Sequence, residues 1–85
     1  YMDIENTYVK RIRDLREDAD YTQEYVAAYL GTSQTMYARY ERGANELPIR
    51  HLIKLHELYG VSTDYLLGLA NNSYHRITNE KQNRK

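Results

Sequence analysis

Two hydroxyl residues, Thr22 and Ser33, are each followed about one short helix later by a glycine, Gly31 and Gly43. A Thr or Ser hydroxyl can accept an orphan amide in the opening turn of a helix. Glycine enters the left-handed conformation that ends a helix without a Cβ penalty. Residues 22–43 therefore read as two helices, capped at Thr22 and Ser33 and closed at Gly31 and Gly43, with a tight turn between them. Tyr21 and Val26 have hydrophobic-staple spacing across the first cap. Ala27 is small where two helices crossing at close range need a small residue. The pattern is that of a helix-turn-helix, and the remaining helices must pack around its corner.

The flanking text is equally ordered. Leu15-Arg16-Glu17-Asp18 leads into Tyr21-Thr22-Gln23-Glu24, and Tyr40-Glu41-Arg42-Gly43 closes the unit. Gly60-Val61-Ser62-Thr63-Asp64-Tyr65-Leu66-Leu67-Gly68 follows. Together these segments resemble the phage Cro and lambda-repressor family, also called the xenobiotic-response-element family, over roughly residues 7–69. The resemblance implies an all-α, five-helix, lambda-repressor-like DNA-binding domain at 7–69 with the helix-turn-helix at helices 2 and 3. It also implies an ion pair between Arg16 and Glu41 that ties the first helix to the end of the recognition helix. Gln23 would bind a phosphate and buttress the base-reading glutamine. Tyr37 departs from the family pattern, which prefers Ile or Val there.

Composition limits the alternatives. At 85 residues the chain reads as one domain with a single small core. Phe and Trp are absent while Tyr occurs ten times, so Tyr must supply the aromatic bulk and some hydroxyls need polar partners. The absence of Cys excludes a disulfide framework and suits a cytoplasmic location. No apolar run approaches the roughly 20 residues of a membrane span, and no stretch reads as a signal peptide. Met2 reads as the natural start, with Tyr1 an addition ahead of it. Lys plus Arg equals Asp plus Glu at twelve each, so no global basic field points to nucleic acid. DNA binding here demands a local basic face, with strong salt sensitivity.

Residues 1–6 are polar and expected to be flexible. The first helix is expected from Thr7 to about Ala19, with Val9, Ile12 and Leu15, joined by Tyr8 and Ala19, as its apolar stripe. Lys10, Arg11, Arg13 and Asp14 fall on the solvent side. In the second helix Val26, Ala27 and Leu30 face inward, leaving Tyr25 and Tyr29 outside. In the third, Ser33 to Arg42, Tyr37 and Tyr40 turn inward, which exposes Gln34, Thr35, Ala38 and Arg39 with Met36 at the edge. Gln can bind adenine and Arg can bind guanine through two hydrogen bonds, and a Thr or Met methyl can touch the thymine methyl. Gln34, Thr35, Met36 and Arg39 are therefore the candidate base readers. Gln23, Thr32, Ser33, Arg42 and Asn45 are the candidate DNA-backbone contacts that set register.

Pro48 suits the first turn of a fourth helix, where its missing amide costs nothing. Ile49, Leu52, Ile53, His56 and Tyr59 follow helical spacing and are expected inward, with His51 on the surface. His56 reads as a satisfied boundary imidazole, since no partner of metal-ligand spacing accompanies it. Ser62 caps a short fifth helix reaching about Leu69, and Val61 with Leu66 has staple spacing. Leu66 faces inward, leaving Leu67 or Leu69 partly exposed, and an exposed apolar patch often marks a partner surface. The family commonly forms its dimer contact in that region. Residues 70–85 are polar, without helical periodicity, and read as a flexible tail.

An enzyme would need parts that are missing: there is no Cys, no glycine-rich phosphate loop and no carboxylate-histidine set. No cofactor and no metal are expected. The reading is a sequence-specific, double-stranded-DNA-binding transcriptional regulator, a homodimeric repressor on a near-palindromic operator. The alternative is an antitoxin-like or adaptor module that grips a protein partner, a toxin or a regulator.

Overall fold

The computed structural model describes the backbone of residues 4–70 and the side chains of residues 7–70. Five helices follow one another: α1 (Ile4–Asp18), α2 (Gln23–Leu30), α3 (Gln34–Arg42), α4 (Ile49–Tyr59) and α5 (Thr63–Leu67). Among the described residues there is no strand. No described helix is long and apolar enough to cross a membrane. The helix starts are chemically fixed. Thr22, Ser33 and Ser62 each accept, through their side-chain oxygen, the amide three residues on, at 3.0 Å in every case.

α2 packs on α3, α1 on α3 and α5, and α4 on α2 and α5. Their inward faces, with Val61 from the α4–α5 connection, form one core of Ile12, Val26, Ala27, Leu30, Tyr37, Tyr40, Leu55, Val61 and Leu66. Tyr8 joins them from α1, and its hydroxyl accepts the Leu47 amide at 3.1 Å, bracing the loop after α3.

α1 departs from expectation at both ends. It begins at Ile4, three residues before Thr7, and ends at Asp18, leaving Ala19 exposed in the following turn. Asp20 takes a positive φ of 61° there, which a short polar side chain tolerates. Arg11 does not point to solvent. Its guanidinium lies 4.0 Å from the Tyr65 ring centre and donates to the carbonyls of Tyr65 (2.7 Å) and Ala70 (2.9 Å). The Tyr65 carbonyl also accepts the Gly68 amide at 3.1 Å, so Arg11 is a second donor there and ties α1 to the end of α5. α5 stops at Leu67, short of the expected Leu69. The expected tail lies outside the described residues except for Ala70.

The larger correction is the phase of α4. Ile49 is 74% exposed and Ile53 48%, whereas His51 and Leu55 are buried. Leu52 and Tyr59 belong to both the expected face and the observed one. α4 carries apolar residues almost all round, so periodicity alone leaves its rotation open, and packing selects the side carrying Leu55. His56 sits at the boundary as expected, its Nδ1–H donating to the Val61 carbonyl at 2.6 Å.

His51 lies edge-on to Tyr40, with ring centres 5.7 Å apart, and its Nδ1 has no partner among the described residues. Burial, and secondarily the charge of Arg50, hold its pKa below the ordinary 6.5. A depressed folded-state pKa means stability that is present above 6.5 and lost as pH falls through the lowered value. His51→Leu, a near-isosteric apolar change, should stay within about 1.5 kcal/mol of the parent at pH 7.5. It should also flatten the decline between pH 6.5 and 5. Urea unfolding across that range is the check, and an unchanged slope would count against the buried neutral imidazole.

Candidate nucleic-acid interface

The turn between α2 and α3 is three residues long, Gly31 to Ser33. Gly31, at φ 79°, lets the chain reverse while the Thr32 amide returns to the Ala27 carbonyl at 2.9 Å. α3 then starts at once on the Ser33 cap. Along α3, Tyr37, Tyr40 and Glu41 are buried, which turns Thr35, Ala38, Arg39 and Arg42 to the opposite side with Gln34 at its N-terminal end. Gln34, Thr35, Arg39 and Arg42 are exposed, and Met36 and Ala38 are half-buried. Glu41 is the one carboxylate in this helix and it is the one charge withdrawn from the surface. The outward stripe is thus neutral-polar and cationic, although the whole chain carries no net charge.

Glu41 organises the orientation of α3. It is 4% exposed and accepts four hydrogen bonds. Arg16 donates from Nε to Oε2 (2.7 Å) and from Nη2 to Oε1 (3.1 Å), a forked pair that fixes angle as well as distance. The Tyr37 hydroxyl donates to Oε2 at 2.6 Å and Gln23 Nε2 to Oε1 at 3.0 Å. Arg16 also donates from Nη1 to the Tyr21 carbonyl at 3.0 Å, so α1, the entry to α2 and the end of α3 meet at one carboxylate. Burial pushes the Glu41 carboxyl up, but the bonds from Arg16, Tyr37 and Gln23 outweigh it and hold it below its ordinary range. Burial and the bond to Glu41 push the Tyr37 phenol far up, which keeps it a donor.

Helical spacing predicts the inward ring of Tyr37 but not its hydroxyl bond to Glu41. The available signal is a Tyr with a Glu four residues on, both on the inward stripe of a helix. Gln23 also has a partner within the domain. One of its amide hydrogens is given to Glu41, which leaves the other as its remaining side-chain donor. Ser33 uses an oxygen lone pair to cap Met36, and its hydroxyl hydrogen remains a donor. Thr32 is half-buried in the turn and Arg42 is exposed at the end of α3.

Asn45, expected on the DNA backbone, turns its side chain to the protein. Its Oδ1 accepts Arg39 Nε at 3.1 Å, and its Nδ2 lies 3.8 Å from Met36 Sδ. Leu67 is half-buried and Leu69 is 56% exposed at the end of α5.

Two capped helices about a glycine turn, with the second locked from behind and polar in front, define a helix-turn-helix domain. A helix-turn-helix family model matches residues 12–66. The uncharacterised HTH-type transcriptional regulator YobD of Bacillus subtilis is 35% identical over 78 residues, which cover 92% of this chain and 68% of YobD. The HTH-type transcriptional regulator ImmR of the same organism is 42% identical over 59 residues, 69% of this chain and 46% of ImmR. The cryptic phage CTXphi transcriptional repressor RstR of Vibrio cholerae is 37% identical over 54 residues, 64% of this chain and 49% of RstR. The chain thus spans about half the length of ImmR and of RstR. A crystal structure of the P22 c2 repressor in complex with a synthetic operator matches with a TM-score of 0.68 and 27% identity, covering 74% of this chain and 96% of that one. The chain belongs to this helix-turn-helix family, and its five helices have the lambda-repressor-like arrangement.

Proposed function

We propose that the chain is a sequence-specific DNA-binding transcriptional regulator, a dimeric repressor that reads a near-palindromic operator through α3. The observation that carries this reading is the outward stripe of α3, where Arg39 and Arg42 stand among neutral polar groups while the helix's carboxylate is buried. The names of ImmR and RstR, regulator and repressor, and the operator held by the P22 c2 repressor point the same way. In this reading Gln34 pairs with adenine, Arg39 with guanine, and the Thr35 and Met36 methyls meet thymine. Thr32, Ser33, Arg42 and the free amide hydrogen of Gln23 hold phosphates. Leu67 and the exposed Leu69 supply the dimer contact, with the two α3 helices about 34 Å apart in successive major grooves.

Selection from random duplex DNA at two salt concentrations tests this. A two-fold symmetric motif with half-sites about one helical turn apart is the expected product. Arg39→Ala should then lose about 1–3 kcal/mol of discrimination at one base pair per half-site, and Gln23→Ala should weaken all sequences evenly. Equal losses on every duplex for Arg39→Ala would remove it from the base-reading set. No enrichment even at low salt would turn attention to a protein partner, for which the exposed Ile49 and Ile53 of α4 offer an apolar surface.

A further inference from the structure

We infer that Asn45 is a positioning residue for Arg39, one that fixes how the guanidinium is presented to a base. This rests on the proposed reading of DNA by α3. Arg39 leaves the last turn of α3, and a free arginine there would sample many rotamers before binding. The loop that follows removes much of that freedom. Gly43, at φ 76°, folds the chain back so that the Ala44 amide meets the Arg39 carbonyl at 2.9 Å, and the Asn45 amide approaches the same carbonyl at 3.4 Å. This places the Asn45 side chain beside the Arg39 side chain, where Oδ1 accepts the Nε hydrogen at 3.1 Å. The amide's other end lies 3.8 Å from Met36 Sδ, one turn back along α3. Nε–H can only donate, so the oxygen of Asn45 must face it.

The chemistry that follows is specific. Arginine can meet the two acceptors of guanine either side-on, through Nε and one terminal nitrogen, or end-on, through both terminal nitrogens. With Nε occupied by Asn45, the side-on edge is closed and the end-on fork remains, its two terminal nitrogens unengaged by that bond. A guanidinium already held in this pose loses less freedom on binding, and the benefit is confined to the base it reads. Asn45 therefore sharpens specificity through Arg39.

The test uses the intact chain and measures the affinities of four proteins for the selected operator and its single-base variants. The proteins are the parent, Arg39→Ala, Asn45→Ala and the double variant. Asn45→Ala should reduce discrimination about three- to tenfold at the base pair that Arg39→Ala relaxes, and at no other. In the Arg39→Ala background it should change nothing further, because its partner is already gone. In the free protein, the 15N-detected Arg39 Nε–H should exchange faster with water in Asn45→Ala, and Asn45→Asp, which keeps the acceptor, should restore protection.

Three results would overturn the inference. A uniform loss on every duplex, additive with Arg39→Ala and accompanied by a shallower salt dependence, assigns Asn45 to a phosphate. Relaxation by Arg39→Ala without relaxation by Asn45→Ala removes the positioning role and leaves base reading by α3 intact. If Arg39→Ala relaxes no base pair, base reading by Arg39 fails, and the role of Asn45 fails with it.

Discussion

Arg16→Ala is expected to destabilise the domain by about 3–5 kcal/mol at neutral pH, the cost of leaving a buried carboxylate without its counter-ion. Glu41 is 4% exposed with Arg16 in place, so the substitution strips two donors from a carboxylate that has little contact with water. Small domains hold only about 5–15 kcal/mol in total, so the loss is a large share of what keeps this one folded. Urea unfolding followed by circular dichroism measures it directly. Arg16→Lys should fall between the parent and Arg16→Ala, since a point charge survives while the fork does not. Acidification supplies a second signature. In the parent, the folded-state pKa of Glu41 lies below the ordinary 4.5, so its contribution is present above 4.5 and fades as pH falls through the lowered value. Without Arg16 the largest of the groups that lower it is gone and the folded-state pKa moves up, so protonation costs the variant less than it costs the parent. The gap between the two proteins should therefore narrow as pH falls toward 4 and below. A gap that stays constant down to pH 3 would mean that Glu41 is not what Arg16 supports.

The helix-turn-helix was legible because its boundaries rest on local chemistry. Thr22, Ser33, Gly31 and Gly43 act within one turn of themselves, and nothing elsewhere in the chain can move the ends they set. The rotation of α3 followed once Tyr37 and Tyr40 were turned inward, and the exposed positions of Gln34, Thr35 and Arg39 are the consequence. α4 had no such anchor. Its two possible apolar faces share Leu52 and Tyr59, and the choice that exposes Ile49 and buries His51 is made by the packing partners. Polar side chains that reach across the fold were also illegible. Arg11 and Asn45 find their partners, the end of α5 and the side chain of Arg39, across loop geometry that the sequence does not encode by spacing. Composition warned that some tyrosine hydroxyls needed polar partners, but not which: Tyr37 finds Glu41 and Tyr8 the Leu47 amide, while the buried hydroxyl of half-buried Tyr59 has none among the described residues.

Tyr37→Ala should also cost about 3–5 kcal/mol, because a large ring is removed from a site that cannot collapse around it. Tyr37 is fully buried and sits in the core with Ile12, Val26 and Leu55, edge-on to Tyr40 at 6.5 Å. Two finer substitutions separate bulk from hydroxyl. Tyr37→Phe keeps the ring and removes the donor from Glu41 Oε2, which costs about 1–3 kcal/mol for a charge-assisted bond in a buried setting. Tyr37→Ile installs the kind of residue that the resembled family prefers, and should nonetheless destabilise more than Tyr37→Phe, since it loses ring volume and donor together. The same comparison bears on recognition. Tyr37 lies on the side of α3 away from the exposed stripe, so Tyr37→Phe should weaken DNA binding only as far as α3 loses its alignment, with no change in which bases are preferred. Thermal unfolding and selection from random duplexes, run on the same three variants, test both halves. A Tyr37→Phe protein as stable as the parent would show that Arg16 and Gln23 alone satisfy Glu41. The hydroxyl would then be incidental to the orientation of α3.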